Sequence, residues 1–170
     1  MTISGYVWKT LVLIGMLLHG GGALASSDTS ITQRNKQFIA HAFQQWADGG
    51  GTFFQDVLST DVIWTIKGTD PAAGIYRGRD AFIKQAVAPF VARLSTFVKP
   101  TVNNIWADGN DVVVYWDGAG VAKDGKPYNN SFVWIFKMEG LRAIEVIAFL
   151  DLSQYEDVIN RIQPTATPGT

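Results

Sequence analysis

The chain of 170 residues contains no cysteine. That excludes disulfide staples and thiolate metal sites, and leaves packing alone to hold a fold together. Charge is scarce: Asp, Glu, Lys and Arg make up 17%, with a formal net charge of −1. Neither nucleic acid nor an anionic membrane surface is invited by that balance. Histidine is rare as well, and only His41 lies beyond residue 25. One imidazole without cysteine makes no metal constellation, and no serine stands with it for a triad. His41 reads as a surface or core-edge residue, and nothing in the pattern asks for a metal or a cofactor. A long apolar run is also missing. "TLVLIGMLL" breaks at His19 and Gly20, well before the ~20 residues a spanning helix needs.

What that segment does contain is a lone Lys9, an apolar core and the small-residue site Ala23-Leu24-Ala25 before Ser26. This order describes a secretory signal peptide over residues 1–25, and the expected destination is the periplasm or the medium. The remainder, 26–170, suits one domain, with a core of about 31–162 and a loose tail "QPTATPGT". Removing Lys9 makes it one unit more negative. Hydrophobic residues reach 47% and aromatics 12%, which suggests a larger interior than a minimal core or an apolar interface.

Ser30 followed by Gln33 fits a capping box. Beyond it Phe38, Ile39, Ala42, Phe43 and Trp46 recur at helical spacing. The spacing predicts a helix over 30–48, closed by Gly49-Gly50-Gly51, then a short helical turn in "TFFQDVL". "TDVIWTIK" reads as a strand over 60–67. A loop broken by Gly68, Pro71, Gly74 and Gly78 follows, with a brief extended piece at Ile75-Tyr76-Arg77. Asp80 opens another helix with Phe82, Ile83, Ala86, Val87, Phe90 and Leu94 on one side, and Pro89 should kink or end it. From residue 95 to 151 the period changes to that of four strands, separated by Asp108-Gly109, Asp124-Gly125 and Glu139-Gly140. "LSQYEDVINRI" is a last helix. The order predicts an α+β fold, in which a twisted antiparallel sheet wraps the long helix and leaves a cone open at one end.

Trp64, Gly68, Gly74, Tyr76, Gly78 and Ala81 spell a pattern that resembles the SnoaL-like branch of the nuclear transport factor 2-like superfamily, relatives of ketosteroid isomerase. "AIEVIAFLDLSQY" looks like that family's closing strand. The similarity spans about 31–160. It implies a cone-shaped α+β barrel with an apolar pocket, and a homodimer through the sheet's outer face. The fold by itself does not fix a function, since it carries isomerases, cyclases, hydrolases, dehydratases and binders. The isomerase set places its base near Thr65, its tyrosine near Ala42 or Phe43 and its protonated acid near Phe132 or Trp134. None of these residues ionises, so that mechanism does not carry over. The Asp-Arg-Asp set of the superfamily's epoxide hydrolases fares little better: Asp117 and Asp151 could be the acids, but Arg142 lies at a strand start.

Several residues admit two readings. Asp151 is either a rim carboxylate desolvated by Phe149 and Leu150, fit to act as general acid or base in an isomerase, lyase or cyclase, or the N-cap of the last helix. Alternation puts Asn130, Phe132, Trp134 and Phe136 on one face, and Val112, Val114, Trp116 and Gly118 on one face of the neighbouring strand. With Gly118 and Gly120 leaving room, Trp116, Trp134 and Trp64 are core or they line a cavity for a flat, small apolar ligand. A buried indole N–H wants a partner, and Asn130 or a ligand carbonyl could serve. Tyr76 contacts a ligand oxygen or seals the cone. Arg77 and Arg79 read as a solvated pair, with a link to Asp80 or Asp70, and Asn129-Asn130-Ser131 matches a glycosylation sequon. A third function class is a non-catalytic dimerisation module with a filled cone.

Overall fold

The computed structural model describes residues 22–163, with side chains from residue 28 onward. Most of the expected leader and the tail from residue 164 lie outside the described residues. Among the described residues no helix is long and apolar enough to cross a membrane. Helix α1 (Gly22–Ala47) begins eight residues before the capping box. Ser30 is therefore inside the helix instead of starting it, since upstream Ala23, Leu24 and Ala25 are good helix formers. Ile39 and Phe43 of α1 are almost wholly buried. Its polar anchor is Asn35, fully buried, whose Nδ2 donates to the Gly109 carbonyl at 3.0 Å. Thr32 Oγ1 accepts from the Gly109 N–H at 2.8 Å.

Helix α2 (Phe53–Val57) leads into β1 (Leu58–Ile66), and β2 (Gly74–Arg77) folds back on β1 antiparallel. Next come α3 (Arg79–Phe82), a π-helical turn (Ile83–Val87) and α4 (Ala88–Val91) as one continuous helical segment. Pro89 lacks an N–H and crowds the carbonyl four residues back, so the helix widens ahead of it and continues. Four long strands follow: β3 (Leu94–Asp108), β4 (Asp111–Ala122), β5 (Pro127–Glu139) and β6 (Arg142–Leu150), then α5 (Leu152–Arg161). The three hairpin glycines, Gly109, Gly125 and Gly140, have φ of 53°, 83° and 59°, as tight turns between twisted strands require.

The sheet order is β2-β1-β6-β5-β4-β3. The β1–β6 junction is parallel and the other pairings are antiparallel, so the sheet is a meander closed by one early strand. It curves without closing into a barrel. The register of β3 against β4 slips in three places, between Leu94 and Thr96, Thr96 and Lys99, and Val102 and Asn104. Such bulges bend a strand and increase its twist, wrapping the sheet around α1. Burial alternates along β5 from Tyr128 to Met138, every second residue buried, as the sequence pattern predicts.

Two clusters fill the interior. The larger joins α1, α2 and the inward face of the sheet, with Phe43, Trp64, Trp116, Trp134 and Phe136 among its rings. The smaller, Phe90, Leu94, Ala122, Tyr128, Val158 and Ile162, seats α4 and α5 over the end of the cone. Arg93 fastens that end, donating to the carbonyls of Ile159, Ile162 and Pro89.

Candidate functional site

The inward-facing rings of β1, β4 and β5 meet those of α1, α2 and the helical segment after β2 around a cavity of about 110 Å³. Trp134 stands at its centre. Trp64 and Trp116 lie nearly perpendicular to it, with centroid separations of 5.0 and 4.7 Å. Each of these two is stacked on a phenylalanine: Trp64 on Phe82 at 4.1 Å, Trp116 on Phe132 at 4.0 Å. Offset and edge-on aromatic pairs are favourable beyond their buried area, which adds to the packing of this wall. At the α5 end Phe90 stacks on Tyr155 at 4.7 Å and meets Tyr128 edge-on at 4.8 Å. Ala86, small and buried, gives the hollow its room from the π-turn.

The space at Gly118 is not empty. A Cβ there would come within 2.8 Å of Val98 and 3.0 Å of both Phe132 and Trp116. Glycine at this position lets the Trp116–Phe132 stack lie flat on the backbone. At Gly120 a Cβ would meet the Thr96 carbonyl at 2.9 Å, so that glycine admits the bulged β3.

The lining has tyrosines but no carboxylate, amine, guanidinium or imidazole. Tyr155 donates to the Ala86 carbonyl at 3.0 Å, and burial, with lesser contributions from Tyr76 and Glu156, pushes its pKa up to about 12. Burial also raises Tyr128, whose oxygen accepts from Asn130 Nδ2 at 2.9 Å. Both stay neutral at ordinary pH. The indole N–H groups of Trp64 and Trp116 are buried with no hydrogen-bond partner. Leaving a buried donor unmet costs about 1–3 kcal/mol, and an aromatic face is only a weak acceptor.

Of the residues singled out in the sequence, Trp64, Trp116 and Trp134 wall this cavity, whereas Tyr76 and Asn130 do not. Tyr76 donates to the Ala72 carbonyl at 2.9 Å, packs edge-on to Phe82 at 5.8 Å and so braces its own loop. Its pKa is raised by burial and then by Glu156. The glycine-rich loop docks on α5: the Ala72 N–H donates to Glu156 at 3.2 Å, and a Cβ on Gly68 would lie 2.2 Å from Leu152. Asn130 is buried and fully engaged. Besides Tyr128, its Nδ2 donates to the Asp151 carbonyl at 2.8 Å and its Oδ1 accepts from the Asp151 N–H at 3.0 Å. It clips the start of α5 to β5 and makes no bond to an indole.

Of its two readings, Asp151 has the geometry of the N-cap. Its side chain is exposed and caps α5, with Oδ1 accepting from Ser153 N–H at 3.0 Å and Ser153 Oγ at 2.6 Å. The Ser153 hydroxyl and then backbone donors hold its pKa below the ordinary carboxylate value, opposite to the elevation a general acid needs. It borders a second, open depression of about 690 Å³ with Asp117, Asn129, Asn130 and Ser131. Asp117 accepts from Ser131 and from Asn103 at 2.8 Å, which lower its pKa. Arg142 is elsewhere, donating to the Gln55 and Asp56 carbonyls, so no arginine joins these acids. Arg79 does reach Asp80, at 3.3 Å. His41 is exposed. Trp106 points outward, 51% exposed.

The sequence reading missed Trp46, Phe54, Phe82, Phe90, Phe132, Tyr128 and Tyr155 as cavity residues. Their helical and alternating spacing was visible, but spacing does not distinguish a filled core from a hollow one.

Residues 39–146 match the SnoaL-like domain. No curated protein matches the chain significantly. Solved structures agree in fold. A nuclear transport factor 2-like protein from Burkholderia xenovorans is 21% identical, with a TM-score of 0.55 over 76% of this chain and 98% of that one. TerC, co-crystallised with polyporic acid, is 20% identical, with a TM-score of 0.59 over 74% and 97%. A protein of ketosteroid isomerase-like fold from Catenulispora acidiphila, solved with trimethylamine, is 15% identical, with a TM-score of 0.56 over 76% and 97%. With more than half of its length matched, the chain belongs to the SnoaL-like domain family, and it shares its fold with nuclear transport factor 2-like structures.

Proposed function

We propose that this SnoaL-like domain is an exported binding protein whose aromatic cavity holds a small apolar molecule without turning it over. One observation carries the reading: a cavity of about 110 Å³ walled by stacked indole and phenyl rings, with no carboxylate, amine, guanidinium or imidazole in its lining. Proton transfer needs a group that titrates near working pH, and the wall supplies none. Solved relatives carrying polyporic acid or trimethylamine give this fold precedent for small-molecule ligands. The Lys9, apolar and Ala-Leu-Ala order of residues 1–25 supports export.

A test is calorimetric titration of the purified protein with small aromatic and alicyclic compounds, against an Ala86→Phe variant whose new ring fills the hollow. Binding by the wild type and none by the variant is the expected result. If no compound binds the wild type, the binding reading is lost.

A homodimer through the outer sheet face belongs to the same proposal. Register places Trp106, Val113, Ile135 and Ile147 in one row and Tyr115, Val133 and Phe149 in the next. Trp106, Tyr115 and Phe149 are 51%, 39% and 45% exposed. A contiguous apolar stripe of this kind marks an interaction surface. Light scattering should give twice the chain mass, falling to the single-chain mass for Trp106→Glu.

A further inference from the structure

Among the fully buried side-chain polar atoms of the cavity wall, two have no hydrogen-bond partner. Tyr128 and Tyr155 have their hydrogen bonds, and Asn130 spends its amide on Tyr128 and Asp151. Trp64 and Trp116, each 1% exposed, have indole N–H groups without partners. Both orphans are donors, and both belong to one hollow. Native proteins leave few buried polar groups unmet, and each exception asks for a reason.

We infer that the cavity takes a neutral, single-ring molecule bearing an accepting oxygen such as a ketone, which Trp64 and Trp116 read through their indole N–H groups. This rests on the cavity being a binding site, and adds the chemistry of its occupant. Size limits the occupant to one ring. A cavity of about 150 Å³ admits benzene, whereas drug-sized ligands occupy about 300 Å³ or more; here there is about 110 Å³. An anion is disfavoured because it would be buried with no cationic side chain in the wall; a cation would gain attraction from the ring faces but leave the two N–H donors unmatched. In the empty cavity neither nitrogen has surface of its own. For an occupant to meet them, the indoles must tip within their stacks on Phe82 and Phe132.

Ethylbenzene and acetophenone have nearly the same shape and differ in one oxygen, so calorimetry with the full chain separates donor recognition from apolar filling. Water holds the ketone back, and an all-carbon pocket would prefer ethylbenzene. The expected result is acetophenone binding at least as tightly, with tetramethylammonium at least about tenfold weaker than either. The Trp64→Phe/Trp116→Phe double variant should lose about tenfold for acetophenone and change less than about twofold for ethylbenzene. In the ¹⁵N-labelled wild type, both indole N–H resonances should move with acetophenone and stay in place with ethylbenzene, a readout independent of how the variant folds. Ethylbenzene favoured about tenfold in the wild type, tetramethylammonium the tightest ligand, or unmoved indole resonances under bound acetophenone would each overturn the inference and leave the cavity a binding site. Failure of all three probes to bind removes both readings.

Discussion

Strand β5 serves two hollows of opposite character. Phe132 and Trp134 face the apolar aromatic cavity, while Asn129 and Ser131 border the polar depression with Asp117 and Asp151. The acids sit where water and hydroxyl donors reach them, and their pKa values fall. The aromatic hollow has no acid in its lining. A carboxylate among apolar walls would be raised towards neutrality by desolvation; here the two ingredients of an acid–base site, an apolar wall and a carboxylate, occur in separate places. That separation is why the molecule reads as a binder.

The comparison can be broken most forcefully at Trp134. Trp134→Ala should cost about 3–5 kcal/mol of stability, as large aromatic truncations do, and abolish ligand binding, measured by urea unfolding and calorimetry. A cost under about 1 kcal/mol would mean the ring is peripheral to packing. Next is the clip between the two hollows. Asn130→Ala strands the Tyr128 hydroxyl and the Asp151 backbone, and a loss of about 1–3 kcal/mol is expected, with faster amide exchange in α5.

Alkaline titration probes the aromatic side. Tyr155, raised from 10.0 to about 12, and Tyr128, raised further still, remain protonated in the folded state after the unfolded chain has ionised. The stability this contributes is complete below pH 10 and is lost as pH rises through about 12. The melting temperature should fall by several degrees over that range, less so for Tyr155→Phe. A flat profile would contradict the burial of these phenols. The smallest effect belongs to the polar side. Asp151→Asn keeps a good N-cap, so stability should move by no more than a few tenths of a kcal/mol and ligand affinity not at all. A large loss of affinity or turnover would return Asp151 to the chemistry.

Much of this architecture was legible in the residues. The alternation of β4 and β5, the three Asp-Gly or Glu-Gly turns and the capping aspartate before α5 each express a local preference that tertiary contacts reinforce. The start of α1 was not legible, because Ser30 could cap and the chain before it could also continue as helix. The parallel β1–β6 pairing joins segments about 80 residues apart, and no local pattern encodes it. In the site, three tryptophans could be placed by alternation, but the fate of Asn130 and Tyr76 depended on which partner lay nearest. Asn130 found Asp151 and Tyr76 found Ala72, where a ligand had been the expected alternative. Hydrogen-bond competition of this kind is settled only in three dimensions.

The wide π-turn at Ile83–Val87 means that the hollow's outline is written partly in chain length. An ordinary α-helix advances about 100° per residue. A π-turn takes up one residue more over about the same rotation, so deleting one here would tighten it to an ordinary turn and leave Phe90 facing Tyr155 and Tyr128. Relatives without the extra residue would therefore carry the same rings around a space reshaped only beside Ala86.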